Sequence, residues 1–187
     1  MMTVRRGVVA LVLTSAVCGC KGEEPKTPPK CDQIVEVHLR AGDHINPGDD
    51  GGPLPVVVRI YQLKDRVKFD EADFQGVWQD DQTQLGPDVL DKAELTLFPN
   101  TKEEKRYWRK ADARFLAVVA LFRKPAGSEW RRVFNLPDKA VVIKTCKPET
   151  DEKQNTRNVL RLDHRLQVDG SKLIGEAVPI VPAKGTK

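Results

Sequence analysis

The chain has only three histidines, His38, His44 and His164. They show neither HExxH spacing nor any paired metal-ligand pattern. A GxSxG elbow and a glycine-rich phosphate loop ending in GK[ST] are both missing. Asp163 adjoins His164, but neighbouring strand residues point to opposite faces and make a poor catalytic couple. These absences remove the common hydrolase, metalloprotease and nucleotide-binding signatures, so neither enzymatic activity nor a cofactor is expected. Charge of one sign is also lacking, with 31 lysines and arginines against 27 acids. Nothing in that balance points to nucleic acid. The mixed segment "KEEKRYWRK", Lys102 to Lys110, carries Tyr107 and Trp108, yet its acids cancel much of its charge and it reads as a solvated sandwich edge. Finally, no apolar run approaches the roughly 20 residues of a spanning helix.

The apolar run that does exist is short and preceded by Arg5 and Arg6. "GVVALVLTSAV", Gly7 to Val17, has the proportions of a signal-peptide h-region. It leads into "VCGC", which resembles the bacterial lipobox. Cys20 fits the lipidated position, with small Gly19 before the cut, whereas Cys18 would require bulky Val17 there. The expectation is a signal peptide over 1–19 with acylation at Cys20, the alternative being a secreted protein with a chance cysteine. "KGEEPKTPPK", Lys21 to Lys30, is rich in proline and charge and cannot bury itself. At about 3.1 Å per residue it makes a tether of about 30 Å. Lys21 stands where the inner-membrane retention signal of enteric bacteria has aspartate, so the outer membrane, periplasmic face, is expected.

Beyond the tether the chain suffices for one domain, expected over 31–180 with a flexible tail at 181–187. Its two remaining cysteines, Cys31 and Cys146, lie in an oxidising compartment if the export reading holds. A disulfide between them is expected, the alternative being two free thiols. The residues between mostly alternate. In "QIVEVHLR", Val35, Val37 and Leu39 share one face, and Val56, Val58 and Ile60 do so in "PVVVRIYQL". "ARFLAVVALFR", apolar on both faces, suits a central strand. "EWRRVFNLP", "KAVVIKTC", "RNVLRLDHRLQV" and "SKLIGEAV" read as further strands separated by proline, glycine or polar clusters. The rhythm predicts a mainly β, antiparallel sandwich of immunoglobulin-like type.

One region departs from it. In "KFDEADFQGVWQDD", Phe74, Val77 and Trp78 fall at helical spacing, with Asp70 as the expected N-cap and Phe69 able to staple against Phe74. "GPDVLDKAE" reads as a second helix begun by Pro87. Both read as an insertion with its aromatics, Trp78 included, turned inward.

"VVVRIYQLKD", "FDEADFQGVWQDDQTQLGPDVL", "FLAVVALFR" and "EWRRVF", in that order behind a lipobox, resemble the outer-membrane lipoprotein of the type VI secretion system, the TssJ (SciN) family. The resemblance spans about Val35 to Leu136 and rests on the ordered set. It implies a transthyretin-like β-sandwich with added helices, no enzymatic activity, and membership of a multimeric trans-envelope complex. It also implies docking of the periplasmic C-terminal region of the inner-membrane protein TssM. In the family the loop between the first two strands is assigned to that contact. Its equivalent here is "AGDHINPGDDGGPL", Ala41 to Leu54, with Asp43, His44, Ile45, Asn46, Pro47, Asp49 and Asp50 as contact residues.

That loop is unusual on its own terms. Fourteen residues far exceed a hairpin turn, and long loops in compact domains are often functional. Ile45 is its one bulky apolar residue before Leu54, hence the expected anchor, with Asn46 and Pro47 shaping its presentation. Asp43, Asn46, Asp49 and Asp50 supply oxygens for calcium, but the spacing matches no EF-hand and lacks the closing glutamate. An inert solvated spacer is the plain alternative. At the level of the whole protein, the rival is a lipid-anchored periplasmic binding module for a glycan or small ligand. It requires an exposed aromatic platform, for which Trp78, Trp108 and Trp130 are the available side chains.

Overall fold

The computed structural model describes residues 30–138, 141–142, 145–150 and 152–179. Cys20, the signal segment, the tether before Lys30 and the tail therefore lie outside the described residues. Two sheets form the domain. The first is built on β1 (Cys31–Ala41) and β8 (Thr156–Asp169), flanked by β4 (Lys102–Trp108), β7 (Lys147–Thr150) and β9 (Lys172–Ala177). The second has the order β3 (Val89–Leu97), β2 (Val56–Leu63), β5 (Phe115–Leu121), β6 (Arg131–Asn135). Strand β8 is long enough to pair β7 along its first residues and β9 along its last, while β1 runs down its other edge. The alternating pattern is visible in the packing. Val35, Val37 and Leu39 are buried with Val56, Val58 and Ile60, Leu116, Val118 and Ala120, and Leu162, Leu166 and Val168 in one core.

The sandwich expected from the sequence is present, with one departure from antiparallel pairing. β1 and β8 run parallel, from Cys31 opposite Asn158 to Ala41 opposite Val168. Parallel neighbours need a long crossover rather than a hairpin, and here almost the entire domain lies between the two strands.

The central strands of the second sheet, β2 and β5, are buried on both faces. Tyr61, Leu63, Ala117 and Val119 are as enclosed as their inward-facing neighbours, because α1 (Val67–Glu71) and α2 (Phe74–Leu85) form a third layer. The Tyr61 hydroxyl donates to Asp81 of α2 at 2.5 Å, and Arg59 donates to the Val77 carbonyl at 2.7 Å. This burial on both sides explains why β5 reads as a continuous apolar run.

The inserted region differs in detail from its sequence reading. Asp73, not Asp70, caps α2, accepting from the Gly76 amide at 2.7 Å. Asp70 instead receives Arg66 at 2.6 Å within α1. Phe69 is buried and Phe74 packs edge-on against buried Trp130 at 5.3 Å, but Trp78 is 52% exposed. Only Gly86–Asp88 of "GPDVLDKAE" is helical, as a single 3-10 turn with Pro87 inside it. Val89 onward pairs with β2, since its alternating Leu95 and Leu97 gain more from completing the sheet than from a helix. "KAVVIKTC" is corrected too. Its described residues Val141, Val142 and Thr145 are helical. Asp138 accepts from the Val141 amide at 3.0 Å, and this N-cap outweighs the β preference of the valines. Cys146 follows that turn and is disulfide-bonded to Cys31, with Cα atoms 6.1 Å apart.

His164 is a hydrogen-bonded core residue. Its Nδ1 lies 2.9 Å from the Leu162 carbonyl, its ring stands 5.1 Å from that of Phe134, and burial lowers its pKa below the ordinary histidine value.

Candidate functional site

The segment between β1 and β2 is held at its base and presented at its tip. At the base, the Gly42 amide donates to the Val168 carbonyl at 2.9 Å, and the Asn100 amide donates to the Gly42 carbonyl at 3.0 Å. Asn46 then takes a left-handed conformation (φ 47°), which asparagine tolerates better than most residues. Its polar groups are spent inside the protein. The amide donates to Gly170 at 2.8 Å, Nδ2 donates to the Pro55 carbonyl at 2.7 Å, and Oδ1 accepts the Arg123 amide at 2.8 Å. A buried side-chain amide satisfied on both ends holds the two ends of the loop together.

Ile45 is fully buried and belongs to the core. Its expected role as the exposed anchor is therefore corrected. It fixes the loop from beneath, and no partner can reach it without opening the domain. The sequence misleads here because a single apolar residue in a polar loop has no periodicity to reveal which way it points. We expect Ile45→Ala to cost about 2 to 5 kcal/mol of stability, the usual range for truncating a buried aliphatic side chain. Equilibrium urea unfolding checks this, and a loss under about 1 kcal/mol would contradict core burial.

The tip is formed by short local bonds. The Gly48 amide donates to the Gly52 carbonyl at 2.8 Å, and the Asp50 carboxylate accepts the Gly52 amide at 3.0 Å. Gly51 lies at φ 82°, a backbone region that disfavours side chains. Asp49 reaches back to β5's exit, pairing with Lys124 at 2.8 Å and Arg123 at 3.0 Å. Those two cations lower its carboxyl pKa. Asp43, His44, Asp49, Asp50, Pro53 and Leu54 are exposed and Pro47 is half-buried. Leu54, 36% exposed, is the apolar side chain this surface offers. Its position at the end of the loop, before two-residue alternation begins, was the available signal for it. The four oxygen-bearing residues weighed for calcium do not share one centre. Asn46 is turned into the protein, Asp49 toward its cations and Asp50 into the local turn.

The three tryptophans do not build a common platform. Trp130 is buried, Trp108 stands on the outer face of the first sheet, and Trp78 lies on the helical layer covering the second. No helix among the described residues is long and apolar enough to cross a membrane.

The domain is similar to several solved structures. It matches the type VI secretion lipoprotein TssJ1 from Pseudomonas aeruginosa at 22% identity and a TM-score of 0.62, covering 79% of this chain and 98% of that one. A chain in the structure described as the TssM C-terminal domain from EAEC matches at 27% identity and a TM-score of 0.57, again over 79% and 98%. A chain of a type VI membrane complex matches at 28% identity and a TM-score of 0.60, over 80% of this chain and 100% of that one. No curated protein sequence matches significantly. The model of the T6SS-SciN family, described as type VI secretion lipoprotein, VasD, EvfM, TssJ, matches residues 33–169. With most of the sandwich inside that match, from early β1 to the end of β8, the chain belongs to the type VI secretion lipoprotein family, whose members are structural and not enzymes.

Proposed function

We propose that this lipoprotein is anchored by acylated Cys20 in the outer membrane, on its periplasmic face, and docks the periplasmic C-terminal region of a TssM-type inner-membrane protein. It would act as one of several copies in the trans-envelope complex. The likeness to chains from a TssM structure and from a type VI membrane complex supports a partner of this kind. The observation that carries the reading is the loop between β1 and β2. Its base is fixed by core burial of Ile45 and by Asn46, so the tip is presented in a defined shape before a partner arrives. A loop already ordered loses less entropy on binding.

Titration of the purified lipoprotein in detergent against the TssM periplasmic region tests the docking. Saturable one-to-one binding is expected, and its absence would favour the binding-module alternative. Anchoring is tested separately. Cys20→Ser is expected to abolish palmitate incorporation and release the protein from the outer-membrane fraction, whereas Cys18→Ser leaves both intact. Labelled palmitate in the Cys20→Ser protein would place the lipid elsewhere.

A further inference from the structure

The outer face of the first sheet carries a polar cluster that neither the core nor the loop uses. Glu36 and His38 are two residues apart on β1 and so share a face. The parallel register sets Glu36 directly opposite Asp163 of β8. One potential ligand atom from each of Glu36, His38 and Asp163 lies within 4.8 Å of the other two. Oδ1 of Asp163 is enclosed and has no hydrogen-bond partner among the described residues. A buried carboxylate oxygen left without a donor is an uncommon arrangement that a bound cation would resolve.

The surroundings are a network of carboxylates and arginines. Glu36, 6% exposed, accepts Arg161 and also Arg106, the latter at 3.0 Å. Arg161 is held as well by both oxygens of Glu149 at 2.9 and 2.7 Å, and Arg106 reaches Glu104 at 2.6 Å. Three carboxylates, Glu36, Glu104 and Glu149, thus share two guanidiniums. Arg165, opposite His38, has Glu176 as its cross-strand neighbour on β9. Both arginines approach Oε1 of Glu36.

We propose that Glu36, His38 and Asp163 form a site for a divalent cation of the zinc type. One imidazole with two carboxylates, and a fourth position open to water, is a donor set suited to zinc. Calcium and magnesium are disfavoured, because they take more oxygen ligands and make little use of imidazole. Glu104, 3.7 Å from Nδ1 of His38, stands where it can orient the ring, as carboxylates beside metal-bound histidines commonly do. The arginines on Glu36 hold that carboxylate in the same way. Ligand atoms around zinc sit about 3.4 Å apart, as follows from bonds of about 2.1 Å, so rotation of the three side chains closes the site without moving the strands. His38, whose side chain is 39% exposed, leaves a route for the ion. Bound metal would tie together β1 and β8, the two strands on which the sheet is built.

This inference is independent of the docking reading. Titration of the purified lipoprotein in detergent with zinc sulfate, followed by calorimetry, tests it. One saturable site per chain is expected, together with the intense visible absorption of tetrahedral cobalt when cobalt(II) replaces zinc. His38→Ala and Asp163→Asn should each weaken zinc binding by at least about 10-fold, the lower end for loss of a group around a metal. His44→Ala, which removes the imidazole beside Asp43 in the loop, should leave zinc binding unchanged. Should Asp163→Asn fail to fold, the partly exposed His38 carries the test alone. No saturable binding, binding indifferent to His38→Ala, or binding abolished by His44→Ala would overturn the assignment.

Discussion

Exchange of residues 47–54 for a short Gly/Ser turn is expected to leave the domain melting close to the unaltered protein while weakening its binding to the TssM periplasmic region by about 30-fold or more. The stability half of this expectation follows from where the loop is fixed. Ile45 and Asn46, which do the fixing, are retained. The strands on either side keep their registers through Val35, Val37, Leu39 and Val56, Val58, Ile60. Shortening a loop changes closure entropy by only about 0.6 kcal/mol per halving, and the lost contacts of Asp49 with Arg123 and Lys124 are exposed ion pairs of small net effect.

The binding half follows from what the tip offers. Leu54 is the exposed apolar side chain, flanked in sequence by Pro53 and Pro55, on a loop that also exposes the acids Asp43, Asp49 and Asp50. Central apolar anchors commonly contribute about 2 kcal/mol or more at interfaces, equivalent to about 30-fold in affinity, while rim charges chiefly set association rate. Leu54→Ser should therefore reproduce much of the loss on its own, and Asp49→Ala should act mainly on the rate and its salt dependence. Calorimetric titration with each variant separates these effects. Unchanged affinity in the loop-exchanged protein would move the interface to another face of the sandwich.

Loss of the disulfide is expected to have a large effect on stability. Cys31 is the first residue of β1 and Cys146 is 115 residues away, directly before β7. A bond closing so long a segment restricts the unfolded chain strongly, and removal of a native disulfide from a secreted domain typically costs about 2 to 5 kcal/mol. The folded state depends on it locally as well. β7 has only four residues, with four register pairs to β8. The bond fastens the start of this edge strand to the central strand β1. The double variant Cys31→Ser, Cys146→Ser should melt on the order of 10 °C lower, using the usual conversion for a domain of this size. Dithiothreitol should lower the melting point of the unaltered protein by a similar amount and leave the variant unmoved. Two alkylatable thiols in the native, unreduced protein would contradict the bond outright.

What could be read from the sequence is what repeats or stands out locally. Alternation in "QIVEVHLR" and "PVVVRIYQL" reveals one buried face each because side chains in a strand change sides at every residue. The unbroken apolar run of β5 marks a strand covered on both sides, and the fourteen residues from Ala41 to Leu54 declare themselves as more than a turn. Two cysteines left over in an exported domain nearly determine their own pairing. Boundaries that depend on competing local signals are less readable. Asp70 and Asp73 are both plausible caps, and Asp138 before a run of valines pits a helix start against β propensity.

Other features are properties of distance across the fold. Parallel pairing of β1 with β8 joins segments more than a hundred residues apart, and no local pattern encodes which strand becomes a neighbour. That pairing brings Glu36 and His38 to Asp163, three residues that in sequence look like ordinary polar positions of two half-buried strands. The direction of Ile45 is of the same kind. A loop has no periodicity, so its one isoleucine turns inward only because Gly170 and Arg123, from distant loops, supply hydrogen-bond partners that pin the adjacent Asn46 beneath the tip. Alternation therefore determined the layers, while the long-range ladder decided which residues meet on their surfaces.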